Sequence, residues 1–133
     1  MKVMISQPMN GVPDKEIKKI RKEIEDKFKT MHIDVVDSFI TRDAPNNTYH
    51  PNLYYLGRTI MSYLSSVDAV YFVDGWEKAK GCRIEHAICQ EYEIKCLYSD
   101  FFTNQPIQKI TSISIGTDNI LSTNQREVGK ITY

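Results

Sequence analysis

Val67-Asp68-Ala69-Val70-Tyr71-Phe72-Val73-Asp74-Gly75-Trp76 is the stretch on which the fold turns. Its first seven residues are near-continuously apolar, and Asp74-Gly75 stops them abruptly. A strand that is apolar at nearly every position has both faces covered, which is the profile of a central parallel strand. Just before it, Leu53, Leu56, Ile60 and Leu64 repeat at helical spacing; just after it, Ile84, Ala87, Ile88 and Tyr92 mark another helix, followed by a strand over 94–98. Further toward the N-terminus lie a strand over 33–39 and an amphipathic helix after Pro13. That helix carries Ile17, Ile20, Ile24 and Phe28 at spacings of 3, 4 and 4. The first strand is Lys2-Val3-Met4-Ile5-Ser6, ended by Pro8 and Asn10-Gly11. Ile110, Ile113 and Ile115 are candidates for a fifth strand. Strands alternating with amphipathic helices predict βαβ units, with a mainly parallel sheet between two helical layers.

Composition bounds what such a domain does. The chain has 133 residues, 41% hydrophobic and 26% charged, so one core is expected, a single domain over 1–133. Seventeen Lys and Arg balance seventeen Asp and Glu, which removes the basic excess that drives binding to polymeric nucleic acid. Val3-Met4-Ile5 is too short for a signal segment, and no apolar run is long enough for a membrane span. Cys82, Cys89 and Cys96 are odd in number and contain no CxxC, as expected for reduced thiols in the cytoplasm.

Ligands of parallel α/β sheets bind beyond the carboxyl ends of the strands. That directs attention to residues 6–11, 39–52, 74–81 and 99–104, of which 41–52 is a polar loop long enough to cover a site. The third segment is the richest, with Asp74, Gly75, Trp76, Glu77 and Gly81, and Glu85 just inside the next helix. A carboxylate in the first turn of a helix is held anionic by the dipole and is a plausible nucleophile or base. The plain alternative is that Glu85 is simply a favourable N-terminal-turn residue, which on helix statistics alone is the commoner case. Asp74 is equally a turn residue, and a lone Trp beside Gly is more often a packed lid than a stacking platform. Neither GxGxxG nor a P-loop occurs, so dinucleotide and NTPase chemistry lose their usual cradles. Cys82, His86 and Cys89 fall at i, i+4 and i+7, but this is not a known zinc spacing, and neither a metal nor a cofactor is expected. The polar tail over 105–133 has few apolar anchors and is stable only when docked, on its own domain or on a neighbouring subunit.

Three segments resemble the nucleoside 2-deoxyribosyltransferase-like proteins, and among them a group of short bacterial and phage members. They are Lys2-Val3-Met4-Ile5-Ser6-Gln7-Pro8-Met9, the strand and turn quoted above, and Ala79-Lys80-Gly81-Cys82-Arg83-Ile84-Glu85-His86-Ala87. The third is similar to the family's glycine, three residues and a catalytic glutamate. The resemblance implies a flavodoxin/Rossmann-like α/β/α sandwich with five strands, and cleavage of the N-glycosidic bond of a nucleoside or its 5′-monophosphate. Glu85 would be the nucleophile at C1′ and Asp74 would act near the base. Thr117-Asp118-Asn119-Ile120 and Tyr133 are similar to the family's C-terminal segment. That likeness implies that Asn119 and Tyr133 bind the sugar of a partner's site in a homo-oligomer. Met4 stands where the family usually carries a tyrosine whose hydroxyl contacts the glutamate, and a methionine cannot make that bond.

The resulting expectation is a glycosyl-glutamate mechanism, by transfer to a second base or by hydrolysis. Glu85 and Asp74 are catalytic; Ser6, Gln7, Trp76, Gly81, Arg83, Asn119 and Tyr133 bind substrate. Arg83 is the residue suited to a substrate phosphate. The rival, favoured by Met4, is a non-catalytic protein that sequesters or senses a ribosylated nucleotide.

Overall fold

A computed structural model describes residues 1–38 and 43–104. Strands β1 (Lys2–Ser6), β2 (Asp34–Val35), β3 (Ala69–Phe72) and β4 (Lys95–Leu97) form one parallel sheet in the order β2-β1-β3-β4. Helices α1 (Asp14–Thr30), α2 (Pro51–Ser62) and α3 (Lys80–Glu91) connect them, and a short α4 (Asp100–Thr103) follows β4. Among the described residues the sheet thus has four strands, one fewer than expected. The proposed fifth, with Ile110, Ile113 and Ile115, lies outside the described residues, as does the tail over 105–133 that was expected to dock on a neighbouring subunit.

Alternation along the strands separates two cores. Val3, Ile5, Ala69, Tyr71 and Leu97 face α1 and α4 through Ile24, Phe28, Phe101 and Phe102. Met4, Val70 and Phe72 face the other way, onto Ile60, Leu64, Ile88 and Cys89, which come from α2, α3 and the turn Leu64–Ser66. Side chains of successive strand residues point to opposite faces, so the continuous apolar run read in β3 serves both layers. Ala69, Val70, Tyr71 and Phe72 are all buried.

Two local readings need correction. The strand expected over 33–39 pairs only at Asp34 and Val35, with Val36 still donating its N–H to the Val3 carbonyl at 2.9 Å. As an edge strand it has a single partner, and at Ser38 the chain turns inward toward Arg21 rather than continuing the ladder. The stripe through Leu53 and Leu64 is broken as well: α2 ends at Ser62, Leu64 opens a separate turn, and Leu53 is exposed. In α1 the expected stripe packs on the core, with Ile17, Ile24 and Phe28 buried and Ile20 partly buried, and Arg21 joins it as a buried charge.

Both α1 and α3 hand over to a strand through a residue in left-handed conformation, His32 and Glu93, each at φ 58. The following N–H groups close the helix ends, from Ile33 to the Phe28 carbonyl at 3.0 Å and from Ile94 to the Cys89 carbonyl at 2.9 Å. Glycine is the residue this cap favours, because a Cβ is strained there. Glu93→Gly is therefore expected to raise stability by about 0.5–1 kcal/mol, read as a higher urea midpoint at unchanged slope.

Candidate functional site

β1 and β3 are neighbours, yet the chain leaves them toward opposite faces, into α1 on one side and α3 on the other. That divergence is a topological switch point, where parallel α/β sheets open a crevice for ligands. The chain ends that meet there are tied together. The Val73 N–H donates to the Ser6 carbonyl at 3.0 Å, and Gly75 packs toward Pro8, with an added Cβ coming 3.9 Å from the Pro8 Cγ. Gly75, at φ 93, lets the chain reverse directly after Asp74 into the turn Trp76–Lys78.

Every buried polar side chain among the described residues gathers at this end of β1: Ser6, Gln7, Arg21, Ser38 and Glu85. Glu85 reaches it because α3 turns Cys82, Glu85 and Cys89 toward the sheet, spacings that place all three on one face. The Ser6 hydroxyl donates to Glu85 Oε1 at 2.5 Å, a charge-assisted geometry when the carboxyl is ionised. Gln7 donates through Nε2 to the Ile17 carbonyl at 2.9 Å, leaving its own Oε1 without a partner. The Arg21 Nη1 and Nη2 reach Ser38 Oγ and the Ile5 carbonyl, both at a long 3.4 Å, and Nε is unpartnered.

The electrostatics differ from the expectation in one respect. Glu85 lies in the second turn of α3, since the helix starts at Lys80, so it is beyond the reach of the helix's positive end. Burial pushes its carboxyl above the ordinary 4.5, and the Ser6 hydrogen bond and the Arg21 charge only partly oppose that. Cys82, hydrogen-bonded with Ser6, has its thiol pushed up to about 11 by burial, so it is a protonated packing group and not a nucleophile.

The remaining expected residues fall in different places. Asp74 is exposed at the head of the loop after β3. Trp76 stacks on His86 at 4.2 Å between centroids and tilts against Phe72, while His86 Nε2 contacts the Tyr98 hydroxyl at 2.7 Å. Its ring is thus engaged by the protein, as the packed-lid alternative anticipates. The same stack takes His86 out of the inward face shared by Cys82 and Cys89. Among the described residues no three His, Cys, Asp or Glu side chains group as they would around a metal ion.

Arg83 is exposed and donates to the Glu77 carbonyl at 3.0 Å, bracing the turn before α3 rather than facing the buried cluster. Open space surrounds Gly81, where a Cβ would meet nothing within 4 Å. Asn119 and Tyr133 lie outside the described residues. Met4 is wholly buried in the core facing α3, and the hydroxyl contact it cannot make is made by Ser6, two residues along the same strand.

Sequence reasoning missed Arg21 and Ser38. The signal for Arg21 was present: it follows Ile17 by four and precedes Ile24 by three, a charge on an apolar stripe. Ser38 carries no such local signal. A groove of about 710 Å³ between α1 and β2 is lined by Lys18, Arg21, Glu25, Lys29, Asp34 and Asp37 with Ile33 and Val35, but neither Ser6 nor Glu85 opens onto it. Apart from the buried Arg21, its walls have solvent access and are mixed in sign, so the buried cluster is the better site. No described helix is long and apolar enough to cross a membrane.

A family model whose description reads "Domain of unknown function (DUF4406)" matches residues 1–98, a span that holds all four strands and the buried cluster. No curated protein and no solved structure matches the chain.

Proposed function

Since this chain belongs to the DUF4406 family, whose description assigns no activity, we propose its function from the site itself: cleavage of the N-glycosidic bond of a nucleoside or nucleoside 5′-monophosphate. The observation that carries this reading is a buried carboxylate, Glu85, held by the Ser6 hydroxyl at the switch point between β1 and β3. Deeply buried carboxylates are costly and rarely retained for packing alone. A carboxylate held by a hydroxyl donor suits nucleophilic attack on a sugar carbon.

In this mechanism a Glu85 oxygen attacks C1′ while the bond to the base breaks, the base leaving with the electron pair and taking up a proton from solvent. The transition state is oxocarbenium-like, and the product is a glycosyl ester of Glu85. Water or a second base then attacks C1′ from the face the first base left, freeing Glu85 and retaining the configuration. Ser6 fixes the oxygen that does not attack, and Asp74, on the loop against Pro8, serves the base side. Seventeen Lys and Arg balance seventeen Asp and Glu, which favours a small-molecule ligand over polymeric nucleic acid.

The test is chromatographic detection of free base from a panel of deoxy- and ribonucleosides and their 5′-monophosphates, with and without a second base. Release that requires the second base defines a transferase, and release without it a hydrolase. Because a nucleophilic carboxylate must be ionised and burial raises this one above 4.5, release is expected to fall as pH drops through a midpoint above 4.5. A midpoint at or below 4.5 would contradict the assignment of Glu85. One observation favours a second reading: burial favours the neutral carboxyl, a hydrogen-bond donor suited to holding a nucleotide without turnover. Calorimetric binding of a panel member with no base release from any would select that binding protein.

A further inference from the structure

Arg21 is the only buried cation among the described residues and Glu85 the only buried carboxylate, and they approach the carboxyl end of β1 from opposite faces of the sheet. The link between them is short. Arg21 Nη2 reaches the carbonyl of Ile5, and the next residue, Ser6, donates its hydroxyl to Glu85. A guanidinium stays charged at any pH a protein tolerates, so this is a fixed positive charge in a water-poor position. Its direct partners, Ser38 Oγ and the Ile5 carbonyl, are neutral and distant, and its Nε has none. The compensating negative charges are Glu25 on its own helix, Asp37 after β2, and Glu85. Glu25 and Asp37 have solvent access, whereas Glu85 is buried, and screening is weakest between buried groups.

We infer that Arg21 is a positioning residue of the candidate site: from α1, across the end of β1, its charge holds Glu85 in the carboxylate form. The consequence for rate rests on the glycosidic reading above, while the effect on Glu85 itself does not. Besides Arg21, the groups facing Glu85 are the Ser6 hydroxyl from β1 and the Cys82 and Cys89 thiols from its own helix. Burial pushes the Cys82 thiol up, and a hydrogen bond with Cys96 together with burial pushes up that of Cys89, so both are uncharged at neutral pH. Burial raises the Glu85 carboxyl, and Arg21 is the one charged group that pulls it back. The unusual placement of an arginine on the apolar stripe of α1 then has a function, since Ile or Leu at that position would pack without requiring hydrogen bonds.

The experiment follows the side-chain carboxyl resonance of Glu85 against pH in ¹³C-glutamate-labelled protein, the signal being identified by its loss in Glu85→Gln. Arg21→Gln is expected to raise the Glu85 midpoint by about one pH unit or more, and Arg21→Lys, which keeps the charge, to restore most of that shift. Where Arg21→Gln is poorly folded, Arg21→Met fills the same stem with no polar group to satisfy and is expected to give the same upward shift. An unchanged midpoint in a folded Gln or Met variant overturns the inference, as does a Lys variant shifted as far as the neutral ones. In parallel, the acid limb of base release is expected to move up by the same amount, with the rate recovering at higher pH. If no panel member releases base while the resonance still shifts, the glycosidic reading fails and the role of Arg21 stands.

Discussion

Glu85→Gln is expected to lower base release on the order of a thousandfold or more while leaving the fold and nucleotide binding in place. The substitution keeps the side chain's shape, and the amide oxygen can still accept the Ser6 hydroxyl that Glu85 Oε1 accepts at 2.5 Å. What it removes is the anionic oxygen that, in the proposed mechanism, forms the ester with C1′. Because that interaction exists only along the reaction path, the loss falls on kcat rather than on KM. Binding by calorimetry is expected to stay within about threefold of wild type, a difference under about 1 kcal/mol. Retention of a tenth or more of the wild-type rate would remove Glu85 from the role of nucleophile.

The largest effect on stability is expected at the other side of the sheet. Phe28 is wholly buried near the end of α1, edge-on to Tyr71 at 5.6 Å and to Phe102 at 4.8 Å, and 5.9 Å from Phe101. It therefore joins α1, β3 and α4 in one aromatic cluster. Phe28→Ala leaves a cavity that three flanking rings cannot close without leaving their own contacts, and the expected loss is about 3–5 kcal/mol. A domain of this size is typically stable by about 5–15 kcal/mol, so the variant sits near its unfolding limit. Urea unfolding should show a lower midpoint with a similar slope, and Phe28→Leu a clearly smaller loss. Full stability of Phe28→Ala would mean that α4 does not depend on this cluster.

The readings that held rest on local periodicity. The apolar run through Val70 and Phe72, the 3, 4 and 4 spacing of α1, and the turn at Asp74-Gly75 each follow from contacts a few residues long, so composition and spacing suffice to recognise them. The boundaries were weaker where a partner decides them. β2 stops at Val35 because an edge strand is held from one side only, and the Leu53 stripe fails because α2 ends at Ser62. Helix register mattered most at the site. Gly81 and Glu85 were legible as a pair, yet the start of α3 at Lys80 puts Glu85 one turn deeper than the dipole argument required.

Taken alone, the sequence determined a parallel α/β chain, and the rule that such sheets bind ligands beyond the carboxyl ends of their strands singled out Ser6, Gln7, Asp74 and Glu85 for that edge. Tertiary structure decided which of these meet. Ser6 and Glu85 are 79 residues apart in sequence and share a hydrogen bond; Arg21 and Ser38 join them from α1 and from the end of β2; Arg83 and Trp76 turn to other partners. The physical reason is that side-chain pattern sets which face of an element is buried, whereas the order and direction of the strands set what that face is buried against. An arginine on an apolar stripe reads as an irregularity until the sheet order places a buried carboxylate across the end of β1 from it.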